Sequence, residues 1–259
     1  MRADSYLASN GYCESRSRAQ ASIEGGLVFV NGVPVTKCSF DIKDGDKVEL
    51  KGQIIPYVGR GGFKLAGALD SFGLSPKGLT CVDIGASTGG FTDVLLQRGA
   101  LRVYAVDCGR GQLYPSLVSD KRVVNIEGFN ARELSSQTLG QKCDMAVMDV
   151  SFISQTLLLE AVKKTLAENG IFVTLIKPQF EVGREHIGKG GIVKDRAIHR
   201  EAIRKVVLCA SENGFTLMGL DVSPISGGDG NREYLAFFRA GRHSGITGDG
   251  AFLKRLTEK

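Results

Sequence analysis

Four polar residues, far apart along the chain, could together take the proton from a weakly acidic hydroxyl group. Asp149 and Lys177 each end an apolar run, in AVMDVSF and VTLIKP, and Glu233 opens a later one, in NREYLAFF. Lys64 lies in GRGGFKL, before the first strand of the main domain. Strand ends at one rim of an open α/β sheet are where such folds bind and react, so we predict that the four side chains meet there beside a bound cofactor.

Lys177 is the residue that we place against the hydroxyl, because it ends a strand at the predicted rim. Asp149, at the end of the neighbouring strand, would orient it, and Lys64 and Glu233 would complete the network. The lysine would either accept the hydroxyl proton or remain charged and stabilise the developing alkoxide, and the sequence does not separate these two roles. Taken singly, each of the four residues could instead be a surface charge or a structural ion pair.

A glycine-rich turn follows the first predicted strand of the main domain. Its sequence, D-I-G-A-S-T-G-G-F, begins at Asp83, and its glycines allow a sharp turn and a close approach to a ligand. A side chain at Gly89 would occupy the space through which the ligand approaches the turn. The spacing matches neither the dinucleotide pattern G-x-G-x-x-G nor a P-loop. We predict cofactor contacts from Gly85, Ser87, Thr88, Gly89, Gly90 and Phe91.

Two carboxylates indicate which cofactor this turn binds. Asp107 ends the second strand, where a carboxylate can accept both ribose hydroxyls of an adenosine-containing cofactor. Asp83 could meet the cationic amino acid part of S-adenosylmethionine, which a nicotinamide dinucleotide lacks. We therefore predict S-adenosylmethionine as the cofactor.

The composition excludes several classes of protein. The 259 residues leave room for one large domain and one small one. No run of 18 apolar residues and no secretory leader are evident, so we expect a cytoplasmic protein without stable membrane association. The six cysteines and three histidines show no ligand spacing, so we predict no metal site. The formal charge of +5 favours an anionic partner only mildly.

From residue 79 onward, short apolar runs alternate with helix-like stretches. This alternation predicts an α/β fold with a doubly wound, parallel sheet. One predicted helix covers residues 154–170, and a longer one covers residues 195–214. The last two strands, FTLMGLDVSP and REYLAFFRA, are joined by the short turn ISGGDGN and should pair antiparallel. A parallel sheet with such a terminal pair is typical of class I, Rossmann-like methyltransferases.

The chain divides into four predicted segments. Residues 1–51 carry no net charge and contain a helix and a hairpin turned at Asn31-Gly32, which indicates a small α+β module. Residues 52–63 form a linker, in which Gly59, Gly61 and Gly62 permit unusual backbone angles. The main domain covers residues 64–241, and residues 242–259 form a tail without a strong structural signal.

The N-terminal module resembles a known RNA-binding fold. Arg16, Arg18 and Gln20 lie on a short helix and are followed by G-x-V-x-V-N-G. This order resembles the small module named for the S-four ribosomal protein. The resemblance implies that these three side chains contact RNA, and the alternative is an ordinary amphipathic helix with solvated arginines.

The main domain resembles the FtsJ-like ribose methyltransferases. The turn D-I-G-A-S-T-G-G-F is similar to their S-adenosylmethionine loop, with Thr88 where proline is usual, and the order Lys-Asp-Lys-Glu matches their catalytic tetrad. Asn130, in EGFNAR, lies where that family contacts adenine, although it could simply cap a helix.

Over nearly its whole length, the chain resembles the TlyA family. Ser151-Phe152 and Pro178-Gln179-Phe180 are part of this resemblance. It implies S-adenosylmethionine-dependent 2′-O-methylation of ribosomal RNA, at a cytidine ribose, with ribosomal RNA or ribosomal subunits as partner. Members of the family are also known as hemolysins, so a membrane-acting cytolysin is one alternative, and a non-catalytic RNA-binding factor is another. The basic, glycine-rich loop at residues 181–196 is either an RNA-contacting flap or a solvated loop.

Overall fold

The fold is described from a computed structural model of the chain. It describes residues 1–13, 16–51, 56–227 and 230–259, with the backbone alone at residues 17, 21 and 24. Part of the predicted linker, residues 52–55, and part of the predicted turn between the last two strands, residues 228–229, therefore lie outside the described residues.

Helices and strands alternate through the larger part of the chain. The helices are α1 Ala3–Ser9, α2 Arg16–Glu24, α3 Gly61–Ser71, α4 Gly90–Gln97, α5 Pro115–Val118, α6 Ser136–Leu139, α7 Leu159–Thr165, α8 Pro178–Glu181, α9 Arg196–Glu212 and α10 Gly250–Glu258. The strands are β1 Val28–Val30, β2 Val33–Pro34, β3 Val48–Leu50, β4 Thr80–Ile84, β5 Arg102–Asp107, β6 Val123–Glu127, β7 Cys143–Met148, β8 Leu166–Ile176, β9 Phe215–Val222 and β10 Tyr234–Ala240.

The larger sheet has seven strands in the order β6-β5-β4-β7-β8-β10-β9. The first five strands of this order are parallel, whereas β10 is antiparallel to both β8 and β9. The predicted α/β fold with an antiparallel terminal pair is therefore confirmed. The last strand of the chain lies inside the sheet, between β8 and β9, and the prediction did not specify this position.

Both faces of this sheet are covered, which explains why its strands are apolar throughout. Val82 and Ile84 of β4 face one core, to which α7, α9 and α10 contribute. Cys81 of the same strand faces the other core, which includes residues of α3 and α4. Successive residues of a strand point to opposite faces, so an apolar run is what two cores require.

Two stretches differ from their prediction. The helix predicted to reach residue 170 ends at Thr165, because Leu166 already pairs with Cys143 in the sheet and is buried there. The residues predicted as a tail form α10, whose first turn is capped when the Asp249 carboxylate accepts a hydrogen bond from the Phe252 amide. Leu253 and Leu256 of α10 are buried in the core that α9 also lines.

The glycines before Lys64 serve close packing and do not adopt unusual backbone angles. Helix α3 begins at Gly61, three residues before the predicted start of the domain, and Gly59, Gly61 and Gly62 have no positive φ. A Cβ on Gly62 would lie 2.5 Å from the Tyr57 ring, and one on Gly90 of α4 would lie 3.1 Å from the Gly62 amide nitrogen. Glycine is therefore needed at position 62 because Tyr57 packs against it, and at position 90 because α4 approaches the start of α3 closely.

The N-terminal module has a core of its own. Leu7 of α1, Ile23 of α2 and Val28 of β1 are buried in it, beneath a three-stranded antiparallel sheet in the order β2-β1-β3. The predicted hairpin is confirmed, because Val30 pairs with Val33 across a turn at Asn31-Gly32. Both turn residues have positive φ, 51° and 79°, as this tight turn requires.

Candidate active site

The four polar residues of the predicted network meet at one rim of the seven-stranded sheet. Asp149 follows β7 and Lys177 follows β8, so both stand at the carboxyl ends of parallel strands. Glu233 precedes β10, which runs antiparallel to β8 and pairs Tyr234 with Ile176. The start of β10 therefore lies at the same rim as the end of β8. Lys64 reaches this rim from the first turn of α3.

Their charged atoms form one continuous chain of contacts. Lys177 Nζ lies 2.6 Å from Asp149 Oδ1, and Lys64 Nζ lies 3.8 Å from Asp149 Oδ2. Lys64 Nζ also lies 2.6 Å from Glu233 Oε2. Both lysines are 8% exposed and Glu233 is 2% exposed. Charges buried to this degree are costly unless they are paired, and here two cations offset two anions.

Lys177 makes further contacts that the other lysine does not share. Its ammonium group donates a hydrogen bond to Ser151 Oγ at 2.9 Å and lies 5.9 Å from the centroid of the Phe180 ring. Ser151 was noted in the sequence only as part of the family resemblance, and its contact with Lys177 was missed. The oxygens of Asp149 and Ser151 thus hold Lys177 in one position.

Two adjoining cavities open at this rim. The lysine cavity, of about 310 Å³, is lined by Lys64, Asp149 and Lys177 together with Thr88, Gly90 and Phe91 of the glycine-rich turn. The aspartate cavity, of about 430 Å³, is lined by Asp107, Phe129 and Asn130. Both cavities also contact the same four residues, which are Gly85, Ser87, Asp149 and Ser151. A ligand that fills both cavities would therefore pass directly beside Asp149 and Lys177.

The glycine-rich turn brings its backbone close to these cavities. Gly85 has a φ of +84°, and a Cβ there would lie 2.7 Å from the Asp149 carbonyl oxygen. Ser87 has a φ of +48°, and its amide donates a hydrogen bond to Asp107 Oδ2 at 2.8 Å. The other oxygen of Asp107 accepts a hydrogen bond from the Gly109 amide at 2.7 Å. These bonds fix the Asp107 carboxylate at the wall of the aspartate cavity.

Gly89 serves a different purpose from the one predicted. It has a φ of +97° and lines neither cavity. A Cβ at this position would collide with the side chains of Leu117 and Leu113, which belong to the core beneath the turn. The expectation that a side chain at Gly89 would enter the ligand approach is therefore wrong, because the position faces packed leucines.

Asp83 lies beneath the turn and is fully buried. Burial raises the pKa of its carboxyl group to about 7, although Thr92 donates a hydrogen bond to Oδ2 at 2.7 Å. Its other oxygen, Oδ1, has no hydrogen-bond partner among the described residues. Asp83 is not among the residues that line either cavity. Asp83 therefore lies beneath the site with one carboxylate oxygen, Oδ1, that accepts no hydrogen bond from the described residues.

Asn130 caps a short helix and also borders the aspartate cavity. Its side-chain oxygen accepts a hydrogen bond from the Arg132 amide at 3.1 Å and so caps a short 3₁₀ helix at Ala131–Glu133. The same residue lines the aspartate cavity. The cap holds Asn130 against the cavity.

Phe152 is an exposed aromatic residue in a strained conformation at the edge of the aspartate cavity. It is 92% exposed, and its φ of +63° is uncommon for any residue other than glycine. Its ring lies 5.3 Å from that of Phe180. The sequence offered no signal for this exposure, since a phenylalanine after a buried strand is ordinarily core. An aromatic ring exposed beside a cavity can stack against a flat ligand.

Glu181 holds the loop that carries Asp149, Ser151 and Phe152. It is 4% exposed, and its carboxylate accepts hydrogen bonds from the Ser154 hydroxyl and, at 2.9 Å, from the Gln155 amide. Burial raises the pKa of this carboxyl group. The loop after β7 is therefore tied to α8, the helix that follows Lys177.

Two of the three predicted RNA-binding residues of the N-terminal module, Arg16 and Gln20, contact one buried carboxylate. Asp4 is fully buried, and its oxygens accept hydrogen bonds from Arg16 at 2.9 Å and from Gln20 at 2.8 Å. Arg2 contacts the same carboxylate at 3.1 Å and, with these bonds, holds the pKa of Asp4 well below its usual range. Arg18, two residues after Arg16, points to another side of α2 and is half-buried.

The basic loop before α9 is anchored at its carboxyl end. It contains short 3₁₀ turns at Arg184–His186 and Lys189–Gly191. Val193 is buried, its amide donates a hydrogen bond to Asn231 Oδ1 at 3.1 Å, and its carbonyl oxygen contacts His199 Nε2 at 2.8 Å. The loop that carries the exposed lysines and arginines is thus held in place at its carboxyl end.

Comparison with protein families gives two matches. Residues 57–240 match the FtsJ-like methyltransferase family, and residues 1–48 match the S4 domain. Among the described residues, no helix is both long and apolar enough to cross a membrane, and no group of three metal-ligating side chains is present.

Similar proteins carry two kinds of name. Hemolysin A of Brachyspira hyodysenteriae is 46% identical over 92% of this chain and 99% of its own length. The 16S/23S rRNA (cytidine-2′-O)-methyltransferase TlyA of Mycobacterium tuberculosis is 40% identical over 92% of this chain and 89% of its own length. The solved structure of a candidate hemolysin from Streptococcus thermophilus is 42% identical, with a TM-score of 0.79 over 100% of this chain and 94% of that one.

Proposed function

The chain belongs to the FtsJ-like methyltransferase family, and from that premise we propose that it methylates a ribose 2′-hydroxyl of ribosomal RNA, with S-adenosylmethionine as donor and cytidine as target. The observation that carries this proposal is the buried chain of contacts from Lys177 through Asp149 and Lys64 to Glu233, at the junction of two cavities. The choice of ribosomal RNA and cytidine follows the name of the Mycobacterium tuberculosis relative.

The residues around the aspartate cavity suit an adenosine group. Asp107 would accept the ribose hydroxyls, Asn130 would contact the adenine, and Phe129 contributes an apolar wall. The cofactor would extend past Gly85 and Ser87 into the lysine cavity, where Thr88, Gly90 and Phe91 would contact its amino acid part. The unused Oδ1 of Asp83, buried below this turn, fits a cationic amino group that reaches it directly or through water. When bound, S-adenosylmethionine supplies an electrophilic methyl group on a sulfonium.

Lys177 would act on the target hydroxyl. Asp149 and Ser151 hold its ammonium at the edge that both cavities share. From this position the lysine would accept the hydroxyl proton or stabilise the alkoxide as it forms. Asp149 positions Lys177, and Lys64 lies between Asp149 and Glu233, so that two lysines offset two carboxylates and the group works as a unit. The rest of the catalysis is placement of the hydroxyl in a site from which water is excluded.

Two further features would hold the RNA. Phe152, exposed beside the aspartate cavity and backed by Phe180, would stack on the base of the target nucleotide. In the N-terminal module, Arg2 and Arg16 would contact phosphates, with Gln20 beside them, while Asp4 keeps these side chains together. Such a substrate implies a cytoplasmic protein.

The test is to map ribose methyl groups on ribosomal RNA by mass spectrometry. The purified protein is incubated with S-adenosylmethionine and unmodified ribosomal subunits, and the Lys177→Ala protein is the control. We expect at least one cytidine to gain a ribose methyl group with the parent and none with the control. Methylation on a base, or no methylation of either subunit, would refute the proposal.

The hemolysin names of two relatives require a separate experiment, because they imply an action on membranes. The purified protein is added to dye-loaded vesicles of phosphatidylcholine and phosphatidylglycerol. We expect no dye release at concentrations that give complete methylation. Dye release by both the parent and the Lys177→Ala protein would support the membrane-acting alternative.

A further inference from the structure

A third cavity adjoins the active site on the other side of Glu233. It has a volume of about 330 Å³, and Glu233 lines it together with Arg196, Ser223, Ser226 and Arg232. Ile225 and Ser226 line both this cavity and the lysine cavity, so the two spaces are neighbours. We call it the arginine cavity.

Arg232 and Glu233, the two residues before β10, make different contacts. Successive residues of an extended chain point to opposite faces. Glu233 points toward α3, where Lys64 binds it at 2.6 Å. Arg232 points the other way, toward α9, and its guanidinium carbon lies 6.0 Å from the centroid of the Tyr234 ring. Arg196, in the first turn of α9, also lines the cavity.

The positive charge of this cavity is not balanced within the described part of the chain. Arg196 and Arg232 form no ion pair there, and Arg232 Nε is buried without a hydrogen-bond partner. The nearby carboxylates have other partners, since Glu233 pairs with Lys64 and Asp195 accepts a hydrogen bond from the Ala197 amide at 2.7 Å. A buried guanidinium nitrogen without a partner is costly, which indicates that an anion completes the site.

We propose that the arginine cavity binds a phosphodiester group of the substrate RNA, next to the nucleotide whose ribose enters the lysine cavity. Guanidinium groups form paired, charge-assisted hydrogen bonds with phosphate oxygens, and Ser226 can add a hydroxyl donor. Every ribose within an RNA strand has a phosphate on each side, so a phosphate site beside the ribose site would set the register of the strand. This inference rests on the proposed function, because it requires that RNA occupies the lysine cavity.

The test compares methyl transfer by Arg232→Ala, Arg196→Ala and Arg242→Ala proteins on the RNA that the parent methylates. Arg242 is the matched control, because it is exposed and follows the opposite end of β10. Loss of a charge-assisted hydrogen bond is worth about 1.5–3 kcal/mol, so we expect Arg232→Ala to raise the half-saturating RNA concentration by about tenfold or more. The rate at saturating RNA should change less than about twofold, and calorimetric affinity for S-adenosylmethionine should not change.

Salt dependence separates a phosphate contact from a structural role. Each lost phosphate contact should lower the slope of log affinity against log salt by about one, and Arg242→Ala should leave it unchanged. Arg232→Lys should recover part of the affinity and the whole slope. If Arg232→Ala does not fold, Arg196→Ala, at an exposed position, provides the same measurement.

Three outcomes would overturn this inference. Arg232→Ala and Arg196→Ala could behave like Arg242→Ala, or they could lower the saturating rate without any change in the salt slope. Inorganic phosphate could also inhibit methyl transfer by the parent at concentrations as low as those at which RNA binds, and fail to inhibit the Arg232→Ala protein. That result would mean that the cavity binds a free anion. A parent protein that methylates no RNA would instead refute the proposed function, so the two failures are distinguishable.

Discussion

At the scale of single residues, Lys177 and Lys64 differ in what surrounds them. Lys64 lies between Asp149 and the buried Glu233, whereas Lys177 is held by Asp149 and Ser151. Both line the same cavity and contact Asp149, but of the two only Lys177 also donates a hydrogen bond to Ser151, a second residue that the two cavities share. This asymmetry favours Lys177 as the residue that contacts the hydroxyl and Lys64 as its electrostatic support.

Lys177→Ala should abolish methyl transfer and leave the binding of S-adenosylmethionine unchanged. Lys177→Arg should not restore transfer, because a guanidinium keeps its proton and extends farther. Asp149→Ala should be nearly as severe, and the double variant should be little worse than either, because residues that act as a unit are not additive. The measurement is single-turnover transfer at saturating cofactor. Since acid–base groups typically contribute about 10²–10⁴-fold, a Lys177→Ala rate above about a tenth of the parent rate would contradict this role.

Asp83 should make the stability of the free protein depend on pH. Its pKa in the folded protein is about 7, above the ordinary value of 3.8, so folding takes up a proton between these values. Stability should therefore fall as pH rises from about 4 to about 7 and stay low above that range. Asp83→Asn should raise the free energy of unfolding at pH 8 by about 2–4 kcal/mol and by little at pH 4. Urea unfolding at several pH values measures this effect, and parallel curves for both proteins would exclude it.

At the scale of elements, the conformation of the glycine-rich turn depends on the side chains packed behind it. Gly89 and Gly111 both have positive φ, but a Cβ at Gly89 would collide with Leu117 and Leu113, whereas one at Gly111 would have no neighbour within 4 Å. Gly111→Ala should cost about 1–2 kcal/mol of stability through backbone strain alone. Gly89→Ala should cost about 1–3 kcal/mol more, because of overpacking. Urea unfolding compares the two, and equal losses would mean that the leucines move aside freely.

In the N-terminal module, the side chains around Asp4 provide a test in which one substitution has two opposite effects on RNA affinity. Asp4→Asn removes a negative charge, which by itself should strengthen RNA binding. It also releases Arg2, Arg16 and Gln20 from their common carboxylate, and we expect this loss to dominate, with RNA affinity falling by about threefold or more. Asp44→Asn makes the same charge change at an exposed position and should not weaken binding. A gain of affinity in both variants would show that these side chains do not depend on Asp4.

At the scale of the whole molecule, we expect the N-terminal module to contribute RNA affinity and the larger domain to carry out methyl transfer. The module has its own core, and the predicted catalytic residues all lie in the larger sheet domain. Removal of residues 1–51 should preserve the binding of S-adenosylmethionine and weaken RNA binding, with a smaller salt dependence. Calorimetry and filter binding measure the two quantities. Methylation of ribosomal substrate by the shortened protein at the full rate would contradict this division of roles.

Local patterns in the sequence were sufficient for much of this architecture. Alternating apolar runs predicted the parallel sheet, and Asn31-Gly32 predicted the hairpin of the module, because such patterns reflect interactions between residues close in the chain. Strand ends are also local features, so Asp149 and Lys177 could be placed at one rim from the sequence. The roles assigned to these residues, and to the RNA-binding and cofactor-binding sets, stay predictions.

Only the tertiary structure decided which of these residues touch one another. The pairing of Lys64 with Glu233 follows from the insertion of β10 between β8 and β9, a contact between segments far apart in the chain. The cavity that Arg196 and Arg232 line together likewise joins segments far apart in the chain. The neighbours of Gly89, the exposure of Phe152 and the burial of α10 likewise depend on packing between distant elements. A sequence pattern indicates which residues are buried, whereas the order of the strands and the packing of side chains determine which residues each one contacts.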